Sequence, residues 1–278
     1  LDKRLQGKRL FMVDSRILFA RRPWDVCAAA ALKQSCWLIK RFVWVTPILF
    51  LQVEYGFTRE SQDAFALQSY QRARKAVESG VFAEEIIPVQ VADKKGTKSF
   101  ELDEEPFAAD LDRIGSLRPA FEKDGTITAA NASSINDGAA MLVLTSEEAA
   151  QKYELKPIAR IVAQASYAQD PARFTTAPIG CIRRLLEKTS LKAKDIDIYE
   201  INEAFAVVAM AAIRDLDLDP ANVNPLGGAV SLGHPIGASG ARILVTLLNG
   251  LKQRGGKRGL ATLCIGGGEA SGVIVELV

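Results

Sequence analysis

The hydrophobic rhythm of the chain changes near Tyr55. Beyond it, apolar and polar residues fall into blocks that read as helices and strands. Thr58 stands as an N-cap ahead of Phe65, Ala66, Tyr70, Ala73 and Val77, which recur at helical spacing and stop at Gly80. "IIPVQV" (86–91) predicts a strand. Residues 92–137 are rich in Asp, Glu, Lys and Gly and too long for a simple connector, so they read as an excursion that covers a site. "GAAMLVLTS" (138–146) returns to a buried strand. Strands are then expected at 158–166 and 195–201, with helices at 179–189 and 203–215. A glycine-rich stretch precedes a helix at 239–253, closed by Gly255. The strands 259–265 and 272–278 are joined by a short glycine turn and should be antiparallel neighbours. Alternation of this kind predicts an α/β layer with helices packed on a sheet.

The first 50 residues follow another pattern. They hold ten Lys/Arg against three Asp/Glu, while the remaining 228 hold 25 against 30. All three tryptophans (24, 37, 44) and two of four cysteines (27, 36) lie there as well. The apolar run "FVWVTPILFLQV" (42–53) is 12 residues long, short of the roughly 20 a membrane-spanning helix needs. Residues 1–53 are therefore expected to be an atypical, unassigned segment poorly integrated with the rest, such as a truncated or frame-shifted reading. Asp2, Asp14 and Asp25 weaken the alternative of a transit peptide.

Over the whole 278 residues the net charge is +2, which gives no case for nucleic acid or an anionic membrane. Cysteines at 27, 36, 181 and 264 have neither metal-ligand nor disulfide-framework spacing. With a single histidine, a zinc site is not expected. "GHPIGASG" lacks the Lys-Ser/Thr of a P-loop, and "GGGEASG" does not open a helix as a dinucleotide fingerprint would.

Three short pieces could carry chemistry: "INEAF" (201–205), "GHPIGASG" (233–240) and "CIGGG" (264–268). Each falls where a strand ends or a helix begins, the usual place for reactive groups in α/β proteins. His234 can exchange protons near neutral pH. Asn202 offers a donor and an acceptor. Cys264 is followed by three glycines that leave backbone N–H groups free to face an oxyanion. A thiol, an imidazole and an amide suit acyl chemistry at a carbonyl. Each also has a plain structural reading: a buried inert thiol, a satisfied histidine, a helix cap and ordinary turns.

"NPLGGAVSLGHPIGASGAR" (224–242), "NEAF" and "GLATLCIGGGEASG" (259–272) closely resemble the C-terminal signatures of the thiolase family. "YGFTRESQDAFALQS" (55–69) and "RPAFEKDGTITAANASSINDGAA" (118–140) resemble its loop domain. The resemblance runs over about residues 54–278 and implies a thiolase-like layered α/β fold. That fold would be incomplete, with the N-terminal half not recognisable and a loop domain inserted. The division implied is 54–156 for the loop domain with the end of the N-terminal half, and 157–278 for the C-terminal domain.

The resemblance also implies roles. His234 would activate a nucleophilic cysteine and donate to the thioester oxygen, and Cys264 would be the acid/base at the α-carbon or leaving thiol. Asn202 would position a water in one oxyanion hole, and the Gly266 N–H would serve the other. Glycines around His234 are then expected because a thioester must approach closely, and Cys264 is expected to outreact Cys181, with a nearby histidine lowering its pKa. The family's nucleophile lies in an N-terminal half, and neither Cys27 nor Cys36 matches its motif.

The implied activity is acetyl-CoA C-acetyltransferase. The alternatives are a degradative 3-ketoacyl-CoA thiolase and an inactive CoA- or partner-binding fragment. The substrates would be coenzyme A thioesters with no tightly bound cofactor and no metal, and the CoA-binding residues are not assigned. A homo-oligomer (dimer or tetramer), without nucleic acid or membrane, in the cytoplasm or alternatively the mitochondrion, completes the expectation.

Overall fold

The computed structural model describes residues 10–18, 54–93 and 96–278. Seven strands form one sheet: β1 (Leu10–Leu18), β2 (Ile86–Ile87), β5 (Ala139–Ser146), β6 (Ala159–Ala168), β7 (Ile198–Ile201), β8 (Arg258–Ile265) and β9 (Glu269–Leu277). Their order is β2-β1-β6-β9-β8-β7, with β5 paired to β1. The strand expected at 86–91 divides at Pro88: Ile86–Ile87 joins the main sheet as β2, while β3 (Val89–Asp93) pairs with β4 (Gly96–Phe100) in a separate antiparallel hairpin at the start of the polar excursion. β8 and β9 are antiparallel neighbours, as the short glycine turn between them requires. β7 runs parallel to β8, which places the carboxyl ends of both at the same edge of the sheet.

Helices cover both faces. α2 (Ala177–Thr189) and α3 (Ala206–Asp215) bury Cys181, Ile182, Leu185, Val208 and Ala211 against Leu260 and Ile274. α4 (Ser239–Arg254) buries Ile243, Leu247 and Leu251 against Ile198, Ala261 and Val275. Leu260 and Ala261 are adjacent, so β8 sends alternate side chains into the two layers, as a strand buried on both faces must. α1 (Arg59–Glu78) starts at Thr58, whose side chain accepts from the Ser61 N–H at 3.2 Å. Its Ala66, Tyr70, Ala73 and Val77 are buried on one face, and Gly80 follows in the left-handed region (φ 74°).

The strand expected from 272 begins at Glu269, which pairs with Ile265 across the turn, and two further boundaries move for physical reasons. The helix expected from 203 begins at Ala206, because Phe205 is extended (φ −143°, ψ 154°) and Asn202 and Glu203 serve other contacts. The strand expected from 195 begins at Ile198, because Ala193–Asp195 forms a tight 3-10 turn.

The expectation that residues 1–53 stand apart needs correction for nine of them. Leu10–Leu18 pairs antiparallel with β5 from Leu10↔Ser146 to Leu18↔Ala139, and also with β6 and β2. Met12 is buried in the α4 layer. Backbone pairing accepts almost any side chain on an open strand edge, so composition does not forbid this placement. Cys27, Cys36, the three tryptophans and the 42–53 run lie outside the described residues. Among the described residues no helix is long and apolar enough to cross a membrane, and no group of His, Cys, Asp and Glu could hold a metal.

Candidate active site at the carboxyl ends of β7 and β8

The parallel register Ile201↔Thr262 carries the chain from β7 into Asn202, whose N–H donates to the Thr262 carbonyl at 3.0 Å. Cys264 lies two residues further along β8, and Gly266 opens the turn after it. The "NEAF" loop and the "CIGGG" turn are thereby brought to one edge. His234 reaches that edge from the segment preceding α4, and Asn202 Nδ2 lies 3.3 Å from His234 Nε2. On the other side of the ring, Nδ1 lies 2.5 Å from Ser239 Oγ. The His234 N–H donates to the Ser134 carbonyl (2.9 Å) and to Asn136 Oδ1 (3.3 Å). The tail of the polar excursion thus clamps the histidine, and Ile135 bridges it in parallel. Cys264 is not among the hydrogen-bond partners of His234.

Burial, with the Arg242 charge beside it, pushes the His234 pKa down to about 4, so the imidazole is neutral at physiological pH. A neutral imidazole can accept a proton, which a base requires. Asn202 is buried, and its Oδ1 has no hydrogen-bond partner in the protein, so it has an acceptor to offer a water or substrate.

The two described thiols are both buried. Burial pushes Cys264 up to about 12 and raises Cys181 as well. This corrects the expectation of a lowered Cys264 pKa: the surrounding protein disfavours the thiolate more than any neighbour favours it. A thiol kept protonated is a poor nucleophile and a proton donor. Limiting iodoacetamide at neutral pH should therefore modify Cys264 and Cys181 slowly in the folded protein and rapidly after denaturation. Peptide mapping that shows Cys264 reacting at the rate of a free thiol in the folded protein would contradict this environment.

The glycines around His234 have two explanations. A Cβ on Gly228 would lie 2.2 Å from the Glu203 carboxyl carbon. Gly233 adopts φ +85° and ψ 169°, and a Cβ there would lie 2.1 Å from Asn136 Oδ1. These two serve the protein's own polar network. A Cβ on Gly237 or Gly240 would meet nothing within 4 Å, so only there is the backbone open to an approaching molecule. The single expectation of thioester access is thus narrowed.

Glu203, the acid of "NEAF", anchors that network. It accepts from Ser69 Oγ (2.8 Å) on α1, Asn224 Nδ2 (2.7 Å) and the Val230 N–H (3.2 Å). Asn224 also pairs both ways with the Ile201 backbone at 2.8 Å, which holds the 224–232 segment beside β7. Reasoning from single residues did not single out Ser134, Asn136, Ser239 or Arg242. Their only sequence signal was that they fall within the two longest resembling stretches.

The thiolase N-terminal domain family matches residues 50–148, and the thiolase C-terminal domain family matches residues 155–277. The acetyl-CoA acetyltransferase of Allochromatium vinosum is 51% identical over 225 residues, covering 80% of this chain and 57% of that protein. The chain therefore spans little more than half the length of such curated relatives. The crystal structure of human mitochondrial 3-ketoacyl-CoA thiolase superposes with a TM-score of 0.81 at 41% identity, covering 84% of this chain and 60% of that one. The Acat5 thiolase of Ascaris suum in complex with coenzyme A superposes at 0.78 and 45% identity, covering 84% and 59%.

Proposed function

The chain belongs to the thiolase family, and from that premise we propose that it serves an acetyl-CoA C-acetyltransferase, joining two acetyl-CoA into acetoacetyl-CoA or cleaving the product with CoA. The observation that carries this reading is the contact between Asn202 and a neutral His234 at the sheet edge where Cys264 lies next to the end of its strand. In this reading His234 Nε2 takes the proton of a nucleophilic thiol other than Cys181 and Cys264. Asn202, with a free acceptor, holds a water against the first oxyanion. The protonated Cys264 gives a proton to the leaving thiol or, after losing it, takes one from the α-carbon of the second acetyl group. The Gly266 N–H faces the second oxyanion. Preorganised donors of this kind act without reorganisation during the reaction.

The substrates proposed are acyl-CoA thioesters, in keeping with the coenzyme A named for the Ascaris suum relative. No tightly bound cofactor is invoked, since each proton and each oxyanion above already has a protein group assigned to it. We read 54–156 as the loop domain with the end of the N-terminal half and 157–278 as the C-terminal domain, close to the family matches. A dimer or tetramer is proposed, in the cytoplasm, where the free thiols Cys181 and Cys264 would stay reduced. The likeness to a 3-ketoacyl-CoA thiolase favours one second reading, thiolysis of longer chains.

The test joins this chain to the amino-terminal portion of a full-length relative. The completed, folded protein should cleave acetoacetyl-CoA in the presence of CoA, followed as loss of substrate absorbance. Turnover confined to longer 3-ketoacyl-CoA substrates selects the second reading, and no turnover with either refutes both.

A further inference from the structure

We propose that Ser239 is a positioning residue that holds His234 in the Nδ1–H tautomer, leaving the lone pair on Nε2 at the face turned to Asn202. The consequence for catalysis rests on the thiolase reading, whereas the tautomer itself rests on geometry alone. Ser239 is fully buried in the first turn of α4. Its hydroxyl has a single hydrogen, which it donates to the Pro235 carbonyl at 3.0 Å. With that hydrogen on the carbonyl, which can only accept, the 2.5 Å contact with Nδ1 runs the other way, from Nδ1–H to Ser239 Oγ.

The far side of the ring agrees. Nε2 lies 3.3 Å from Asn202 Nδ2, and an amide nitrogen can only donate, so Nε2 accepts. The contacts on opposite sides of the imidazole are thus satisfied together by one tautomer. The opposite tautomer requires two coupled changes: the Asn202 amide must turn over, and the Ser239 hydrogen must leave Pro235. Arg242, one turn further along α4 and also buried, adds a positive charge that opposes a second proton on the ring. For an acyl-transfer base this matters because only an unprotonated Nε2 can take a proton at that face.

The chain suits a direct test, since His234 is its only histidine and every imidazole signal comes from it. The folded 278-residue chain, labelled with 15N in the histidine ring, is examined at neutral pH by two-bond 1H–15N correlation. Nδ1 should resonate as a protonated nitrogen and Nε2 as an unprotonated one. Ser239→Thr, which retains a hydroxyl, should preserve this pattern. Ser239→Ala should lose it, giving a mixture or the Nε2–H form. An Nε2–H tautomer in the unaltered chain overturns the proposal, and so does an unchanged spectrum in folded Ser239→Ala. Should Ser239→Ala fail to fold, the spectra of the unaltered chain and of Ser239→Thr decide. None of these signals depends on turnover, so the proposal can fail while the thiolase reading stands, and the reverse.

Discussion

Incubated with acetoacetyl-CoA and CoA, the 278-residue chain by itself should show no measurable thiolysis and no acyl adduct on Cys181 or Cys264. Acyl transfer through an enzyme-bound intermediate needs a thiolate in the substrate's path. Both described thiols are buried, and burial raises both, Cys264 to about 12. Cys181 lies inside the α2 layer. The remaining thiols, Cys27 and Cys36, stand in "WDVCAAAAL" and "KQSCWLIK", which do not match the family's nucleophile motif. Loss of a covalent nucleophile costs about 10⁴- to 10⁶-fold in rate in other acyl-transfer enzymes. Joined to the amino-terminal portion of a relative, the chain should become active, and His234→Ala in that protein should lower kcat by about 10²- to 10⁴-fold. Spectrophotometric thioester consumption and acid-quenched mass spectrometry read both outcomes. Robust turnover by the chain alone, with an acyl group on Cys27 or Cys36, would show that its first 50 residues supply the nucleophile.

Gly233→Ala should damage the site more than any other single methyl added to the glycine stretch. The backbone there lies at φ +85° and ψ 169°, a region that residues with a Cβ avoid, and the added carbon would lie 2.1 Å from Asn136 Oδ1. Backbone strain and overpacking together should cost about 2–5 kcal/mol. Asn136 also accepts from the His234 N–H, so relief of the clash would move the histidine. Gly237→Ala, three residues beyond the histidine, has open space around its Cβ and should change stability by less than about 1 kcal/mol. Urea denaturation of the two variants measures the contrast. Equal stability would mean that the Asn136 clamp does not hold the loop.

Much of this architecture was legible along the chain because it depends on short-range periodicity. Ala66, Tyr70, Ala73 and Val77 announce one buried helix face, and Thr58 and Gly80 mark its ends. The apolar runs ending at Ile201 and Ile265 announce strands, and the three glycines after Cys264 announce their reversal. Long resembling stretches supplied the family, and with it the roles proposed for His234, Cys264, Asn202 and Gly266.

Other features depend on residues far apart in sequence. Nothing near Leu10 signals that it pairs with Ser146, because a strand edge is matched by backbone groups common to every residue. The direction of the Cys264 shift could not be read from its neighbours, since burial arises from α2, α3 and β9 closing around it. Gly228 looks like a turn residue until Glu203, 25 positions earlier, is found filling the place of its missing side chain. Sequence alone determined most of the elements beyond Tyr55 and which side chains could do chemistry, through local periodicity and motif, but not the strands Leu10–Leu18 and Gly96–Phe100. Tertiary structure decided which of those side chains meet, how each is charged and which nitrogen of His234 faces Asn202, because proximity and burial are properties of the packed chain.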